Sequence, residues 1–315
     1  MRIQYCQIEG GNFGDDLNRL LWPSLFPDLA HRAKDTVFYG IGTILDGHHA
    51  KQLKKVVLGA GIGEAHAAKA DANWDFRWVR GPDSAREFGL SAELALGDSA
   101  LLWSELQQPY RPNSPQGPRG QKGPTGLIPH YATWDSYDWE RVAAKAGMVA
   151  INPRLPPGEV VVRLRDCERV MAESLHGAIC ADAMGIPWAA CILAHRFNDF
   201  KWRDWLATID RPRDRLFPAF VTDRPLVRAI HPAKAAANRL ARSVNYLKNT
   251  RHPALRPVAT ATAQDEACVA EALYQFSRDD AHFACSSPRH VTHQRERMVD
   301  ACASFANDYG LRLAL

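Results

Sequence analysis

The sequence predicts an α/β protein of two lobes, with parallel sheets facing a central cleft. Three observations lead there. Short apolar strands alternate with helical segments early in the chain, a Pro/Gly-rich break follows, and the alternation then resumes. Strands alternating with helices imply βαβ units and parallel pairing.

In chain order, residues 3–6, 36–39, 56–58 and 78–79 read as short buried strands. Residues 15–25 and 84–88 read as helices, the first ending near Pro27. Asp15 and the pair Asp83-Ser84 are good helix-capping types and mark the two starts. From 107 to 126 the chain carries five Pro, four Gly and three basic residues, the composition of a linker or long loop. Strands at 127–129, 148–151, 170–172 and 188–193 follow. Residues 265–276 and 290–309 read as closing helices. The expected organisation is an N-terminal lobe over 1–106, a linker over 107–126, a second lobe over 127–225, and a basic segment with closing helices over 226–315.

Composition narrows the function classes. At 315 residues, 46% hydrophobic and 23% charged, the chain suits two ordinary globular domains. No run of 18 apolar residues marks a membrane span. The start, Met1 to Gln7, is too polar for a signal peptide. Seven scattered cysteines without a Cys-x-x-Cys pair suit reduced thiols and a cytoplasmic location. No histidine or cysteine cluster has metal-ligand spacing, and no Gly-x-Ser-x-Gly elbow occurs. The net charge is only +4, and no nucleic-acid partner is expected. Between Asp223 and Asp265 there is no acid, while Arg228 to Arg256 holds seven Lys or Arg. Such a stretch suits an anionic membrane surface, with Arg239, Arg242 and Lys248 as its membrane-facing residues. A solvated basic helix is the alternative.

Several short elements carry candidate chemistry. Glu173-Ser174-Leu175-His176-Gly177 links a strand to a small-residue helix. Ser174 there is a natural cap, and a helix start with free N–H groups suits an anion. Asn12-Phe13-Gly14-Asp15-Asp16 sits between the first strand and the first helix, where capping competes with a role for Asp15 as a carboxylate base. Arg80 ends a strand, and its planar guanidinium can grip carboxylate or phosphate with two hydrogen bonds. His130 follows the strand that opens the second lobe. Lys201 lies in Asn198-Asp199-Phe200-Lys201-Trp202. Gly59-Ala60-Gly61-Ile62-Gly63 reads as a phosphate loop or, more simply, a tight turn.

Taken in order, Asn12-x-Gly14-Asp15, Val79-Arg80-x-x-x-Ser84, the Gly97-Asp98-Ser99 turn, Pro129-His130, Leu175-His176-Gly177 and the Asp199-x-Lys201 element resemble the polysaccharide pyruvyl transferase family, in particular its succinoglycan-type bacterial members. The resemblance spans about residues 5–205. It implies a GT-B-like fold of two Rossmann-like lobes around the cleft. It also implies transfer of the enolpyruvyl unit of phosphoenolpyruvate to two hydroxyls of one sugar in an exopolysaccharide repeat unit, giving a pyruvate ketal and phosphate. His176, Asp15 and Lys201 are then the catalytic candidates. Asn12, Arg80, Ser174, His176 and Lys201 are the donor-binding ones, and His130 and Asp16 face the acceptor. Some relatives carry Arg where this chain has Ser174. Phosphoenolpyruvate enters as a co-substrate, and neither cofactor nor metal is implied. The implied acceptor is a lipid-linked oligosaccharide at the inner face of the cytoplasmic membrane, where the protein would sit peripherally. His176 fits either a proton donor or a phosphate ligand. Two other readings remain: a nucleotide-sugar glycosyltransferase of the same fold, and a non-catalytic membrane-docked partner in polysaccharide assembly.

Overall fold

The computed structural model describes residues 1–45, 52–64, 70–107, 123–193, 197–211 and 262–315. Most of the expected linker and the whole basic segment, with Arg239, Arg242 and Lys248, lie outside the described residues.

Two four-stranded sheets form, each wholly parallel. The first runs in chain order: β1 (Arg2–Gln4), β2 (Thr36–Tyr39), β3 (Lys54–Leu58) and β4 (Trp74–Trp78). The second holds β5 (Thr125–Ile128), β6 (Met148–Ala150), β7 (Arg169–Ala172) and β8 (Trp188–Ala190), in the order β6-β5-β7-β8. The chain leaves β5 to one side for β6, then crosses back to place β7 on the other. That reversal between β5 and β7 is the kind of point where open α/β sheets leave a crevice beyond their strand ends. The Rossmann-like reading of both halves agrees with this topology.

Nine α-helices are described: α1 (Phe13–Asp16), α2 (Asn18–Leu25), α3 (Pro82–Glu87), α4 (Trp139–Lys145), α5 (Pro157–Arg165), α6 (Leu175–Ala183), α7 (Asp199–Leu206), α8 (Ala263–Ser277) and α9 (Pro288–Tyr309). The single helix expected over 15–25 is two. The Asn18 amide donates to the carbonyls of Asp15 and Ile41, drawing the chain out of a continuous ladder.

One apolar core runs through both halves, joining Phe13, Phe38 and Trp78 to Ile128, Trp188 and Trp202, all 0% exposed. Trp202 and Trp205 belong to this core. The last helix crosses back to the first sheet. Phe305 of α9 stands edge-on to Phe26 at 5.2 Å, and Arg77 of β4 bonds Asp308. The Ala314 N–H then donates to the Leu25 carbonyl. By contrast α8, started by a Thr262/Asp265 capping box, packs on α4 beside the second sheet. No helix among the described residues is long and apolar enough to cross a membrane. The seven cysteines are all free thiols.

Candidate active site

The site forms where the carboxyl ends of β1, β5 and β7 approach one another. Each strand ends by placing a polar group there. After β1, Asn12 opens α1, and its Nδ2 donates to Asp15 Oδ2 at 2.6 Å. Asp16 stays local, its Oδ2 accepting the Asn12 backbone N–H. Gly42, with φ at +120°, lets the next loop press against Asp15 Oδ1, where a side chain would collide. After β5 comes His130. After β7 comes Glu173-Ser174, where Ser174 Oγ accepts the Gly177 N–H at 3.3 Å and caps α6. Gly177 has no Cβ, so α6 closes onto Ile128 of β5.

His176, on the first turn of α6, lies against Gly14 of α1; a Cβ on Gly14 would overlap the imidazole. Its Nε2 is enclosed and lies 3.6 Å from Asp98 Oδ2. Lys201 completes the group from the first turn of α7, which Asn198 caps. Among the described residues no hydrogen bond or ion pair engages its ammonium. Asn12, Asp15, His130, Ser174, His176 and Lys201 thus lie in one neighbourhood.

Their electrostatics are mutually dependent. Burial pushes the Asp15 carboxyl up to about 6, against the pull of His176 and Lys201. Burial, with Arg80 as a like charge, lowers the Lys201 ammonium to about 8, opposed by Asp15 and Glu173. His130 is held well below the usual imidazole range, first by burial and then by Lys201 and His176. It is therefore neutral near pH 7. Its Nδ1 accepts the Ala132 N–H at 3.3 Å, which leaves Nε2 as the donor.

Arg80 differs from expectation. Its side chain is 0% exposed and paired with Asp204 of α7, likewise 0% exposed, at 3.0 Å. The remaining donors go to Thr43 Oγ1 and the Ile62 carbonyl. Asp204 also accepts from the backbone N–H and hydroxyl of Ser84, starting α3 from a distant helix. Instead of an open fork for an anion, Arg80 is the centre of a buried clasp that ties α7 to the first sheet. It acts on the site through charge, by depressing the Lys201 ammonium. The glycine loop is closed in the same way. The N–H groups of Gly59, Gly61 and Ile62 bond Trp78, Gly42 and Ser84, which makes a tight turn and not a phosphate cradle.

Three of the buried carboxylates that escaped the sequence reading bear on these residues. Glu173 receives the His130 N–H at 2.9 Å and the Leu193 N–H at 3.1 Å, bridging the ends of β5, β7 and β8. Burial raises its pKa, against those bonds and Lys201. Its position just before the Ser174 cap was the available signal. Asp98 had one too, in its Gly-Asp-Ser turn. Asp204 had none. Among the described residues no cluster of His, Cys, Asp and Glu could hold a metal ion.

Comparison with known proteins identifies the family. No solved structure matches the chain. It is 34% identical over 219 residues to the succinoglycan biosynthesis protein ExoV of Rhizobium meliloti (strain 1021), covering 68% of this chain and 67% of the relative. The model of the polysaccharide pyruvyl transferase family matches residues 2–194, a span that holds Asn12, Asp15, Asp98, His130, Glu173 and His176. The chain therefore belongs to the polysaccharide pyruvyl transferase family.

Proposed function

We propose that this pyruvyltransferase takes phosphoenolpyruvate as donor and forms a cyclic pyruvate ketal on one sugar of an exopolysaccharide repeat unit. The observation that carries the reading is the convergence of Asp15, His176, Lys201 and neutral His130 beyond the strand ends. It joins a base poised near neutrality, an imidazole and a cation that no described residue engages, as this chemistry requires.

In this scheme the Lys201 ammonium and the α6 N-terminus hold the donor's phosphate and carboxylate. His176 gives a proton to C3, so the methylene becomes a methyl group and C2 becomes electrophilic. A first sugar hydroxyl bonds to C2 while Asp15 takes its proton. The C2–O bond to phosphate then breaks and phosphate leaves. The second hydroxyl bonds to C2, its proton passing to a site base, and the ring closes. Neutral His130 donates from Nε2 to the acceptor. Asn12 keeps Asp15 aimed, and Asp16 borders the acceptor side. Ser174 serves the donor by holding the helix start. The scheme needs no metal or cofactor.

The similarity to a succinoglycan biosynthesis protein supports an exopolysaccharide acceptor. The chemistry suits a lipid-linked oligosaccharide, with the basic segment around Arg239, Arg242 and Lys248 resting on anionic lipid and the protein peripheral at the inner membrane face. A GT-B arrangement of the two halves is part of this reading. The test is phosphate release from phosphoenolpyruvate with a membrane glycolipid extract, run beside nucleotide release from sugar nucleotides. Acceptor-dependent phosphate release is expected. Nucleotide release alone would replace the proposal with a glycosyltransferase.

A further inference from the structure

We propose that Asp98 is the positioning residue for His176, fixing which ring nitrogen faces the reacting molecule. Asp98 is 1% exposed and held by its own turn, Oδ1 accepting the Ala100 N–H at 2.9 Å. Its Oδ2 has no hydrogen-bond partner, and neither has His176 Nε2. Buried polar atoms are rarely left alone. Here two unsatisfied atoms of complementary character face each other at 3.6 Å. That distance exceeds a hydrogen bond, and such contacts often tighten only when substrate arrives.

The other nitrogen has different surroundings. Nδ1 lies against Gly14 of α1, the residue before Asp15. It is not among the enclosed, unsatisfied atoms. A carboxylate only accepts, so it keeps the neutral ring's hydrogen on Nε2 and leaves the lone pair on Nδ1. When the ring is charged, the deliverable proton sits on Nδ1. Asp98 thus aims the imidazole and selects its tautomer, while touching no substrate itself. What Nδ1 protonates rests on the phosphoenolpyruvate reading; the pairing does not.

The test uses Asp98→Asn in the full chain. The carboxamide oxygen introduced by this substitution can still accept from Ala100, so the amide nitrogen falls where Oδ2 was and offers N–H to His176 Nε2. The ring must then move its hydrogen to Nδ1. Nitrogen-15 chemical shifts of His176, assigned against His176→Gln and read at alkaline pH where the ring is neutral, should show Nε2–H in the wild type. They should show Nδ1–H in the variant. Reversing a histidine tautomer this way costs up to about 10⁴-fold in kcat. We expect a loss of roughly 10²–10⁴-fold in kcat, with the donor KM within about threefold. An Nδ1–H tautomer in the wild type overturns the proposal without any variant. An unchanged tautomer in Asp98→Asn, or a kcat within twofold of wild type, overturns it too. A reversed tautomer in a chain that releases no phosphate from phosphoenolpyruvate upholds the pairing and removes only the donor assignment.

Discussion

The starts of α3 and α6 are built alike and end up chemically opposite. Each follows a parallel strand, each has a Ser near its first turn, and each carries a cationic or imidazole side chain beside it. At α3 every polar group is occupied: Asp204 takes Arg80 and both donors of Ser84, and the result is dry and closed. At α6 the cap satisfies only the backbone, while His176 Nε2 is left without a hydrogen bond among the described residues. A helix start with an Arg is thus no anion site until one knows what reaches it from elsewhere. Here the decisive group arrives from a helix more than a hundred residues later.

The sharpest way to break this contrast is His176→Ala. If α6 is the chemical end, transfer should fall by at least about 10³-fold while the melting temperature moves by only a few degrees. A folded variant with full activity would sink the assignment.

At α3 the expected loss is of stability. Asp204→Ala leaves the Arg80 charge buried and unpaired, which costs on the order of 3–5 kcal/mol. Urea unfolding of Asp204→Ala, Arg80→Met and the double variant measures this. The double variant should be more stable than Asp204→Ala, because no charge is then stranded. Arg80→Lys should lower stability before it changes the donor KM. A raised KM at unchanged stability would restore Arg80 as a direct ligand.

The pH profile sharpens the α6 side. Asp15 must be ionised and its group sits at about 6, while Lys201 must be charged and sits at about 8. The rate should rise through about pH 6 and fall on the alkaline side as the His176 donor and Lys201, at about 8, give up their protons. Asp15→Asn should remove the acidic limb along with most of the activity, by about 10²–10⁴-fold. Both limbs unchanged in that variant would mean another base.

The smallest effect runs opposite to activity. Since the folded Asp15 lies above its unfolded value of 3.8, its favourable contribution is complete below that pH and is lost as pH rises through about 6. Holding it ionised at pH 8 therefore strains the fold. Asp15→Asn should raise stability there by on the order of 1–2 kcal/mol and leave it unchanged near pH 3.5. Thermal unfolding at the two pH values decides. Stabilisation at both, or at neither, would contradict the burial of this charge.

Sequence and structure part company in an orderly way. Most of the parallel strands were legible as short apolar runs between turn signals, and 36–39 matches β2 residue for residue; β4 was not, because Asp75 and Arg77 interrupt Trp74–Trp78 and the expected strand at 78–79 meets it only at Trp78. The helices α4, α5 and α7 went unread because they are only seven, nine and eight residues long, about two turns of periodic signal each. Site residues with a local signature, such as Asn12-x-Gly14-Asp15 and Ser174-Leu175-His176-Gly177, could be placed from spacing and resemblance. Asp204 could not, since nothing in Asp204-Trp205-Leu206 distinguishes a buried clasp from an exposed helical acid. The misreading of Arg80 follows directly, because its partner lies 124 positions away.

The crossing of α9 has a consequence for how the protein is made. All four strands of the first sheet have been synthesised once Trp78 is added, yet Phe26 and Phe38 wait for Phe305, and the Leu25 carbonyl waits for Ala314. At roughly 5–20 residues per second that interval is about 10–50 s of exposed aromatic surface. The nascent first half is thus a natural client for chaperones. A fragment cut to the family-matched span, 2–194, carries the same unfinished face permanently and should be recovered as aggregate.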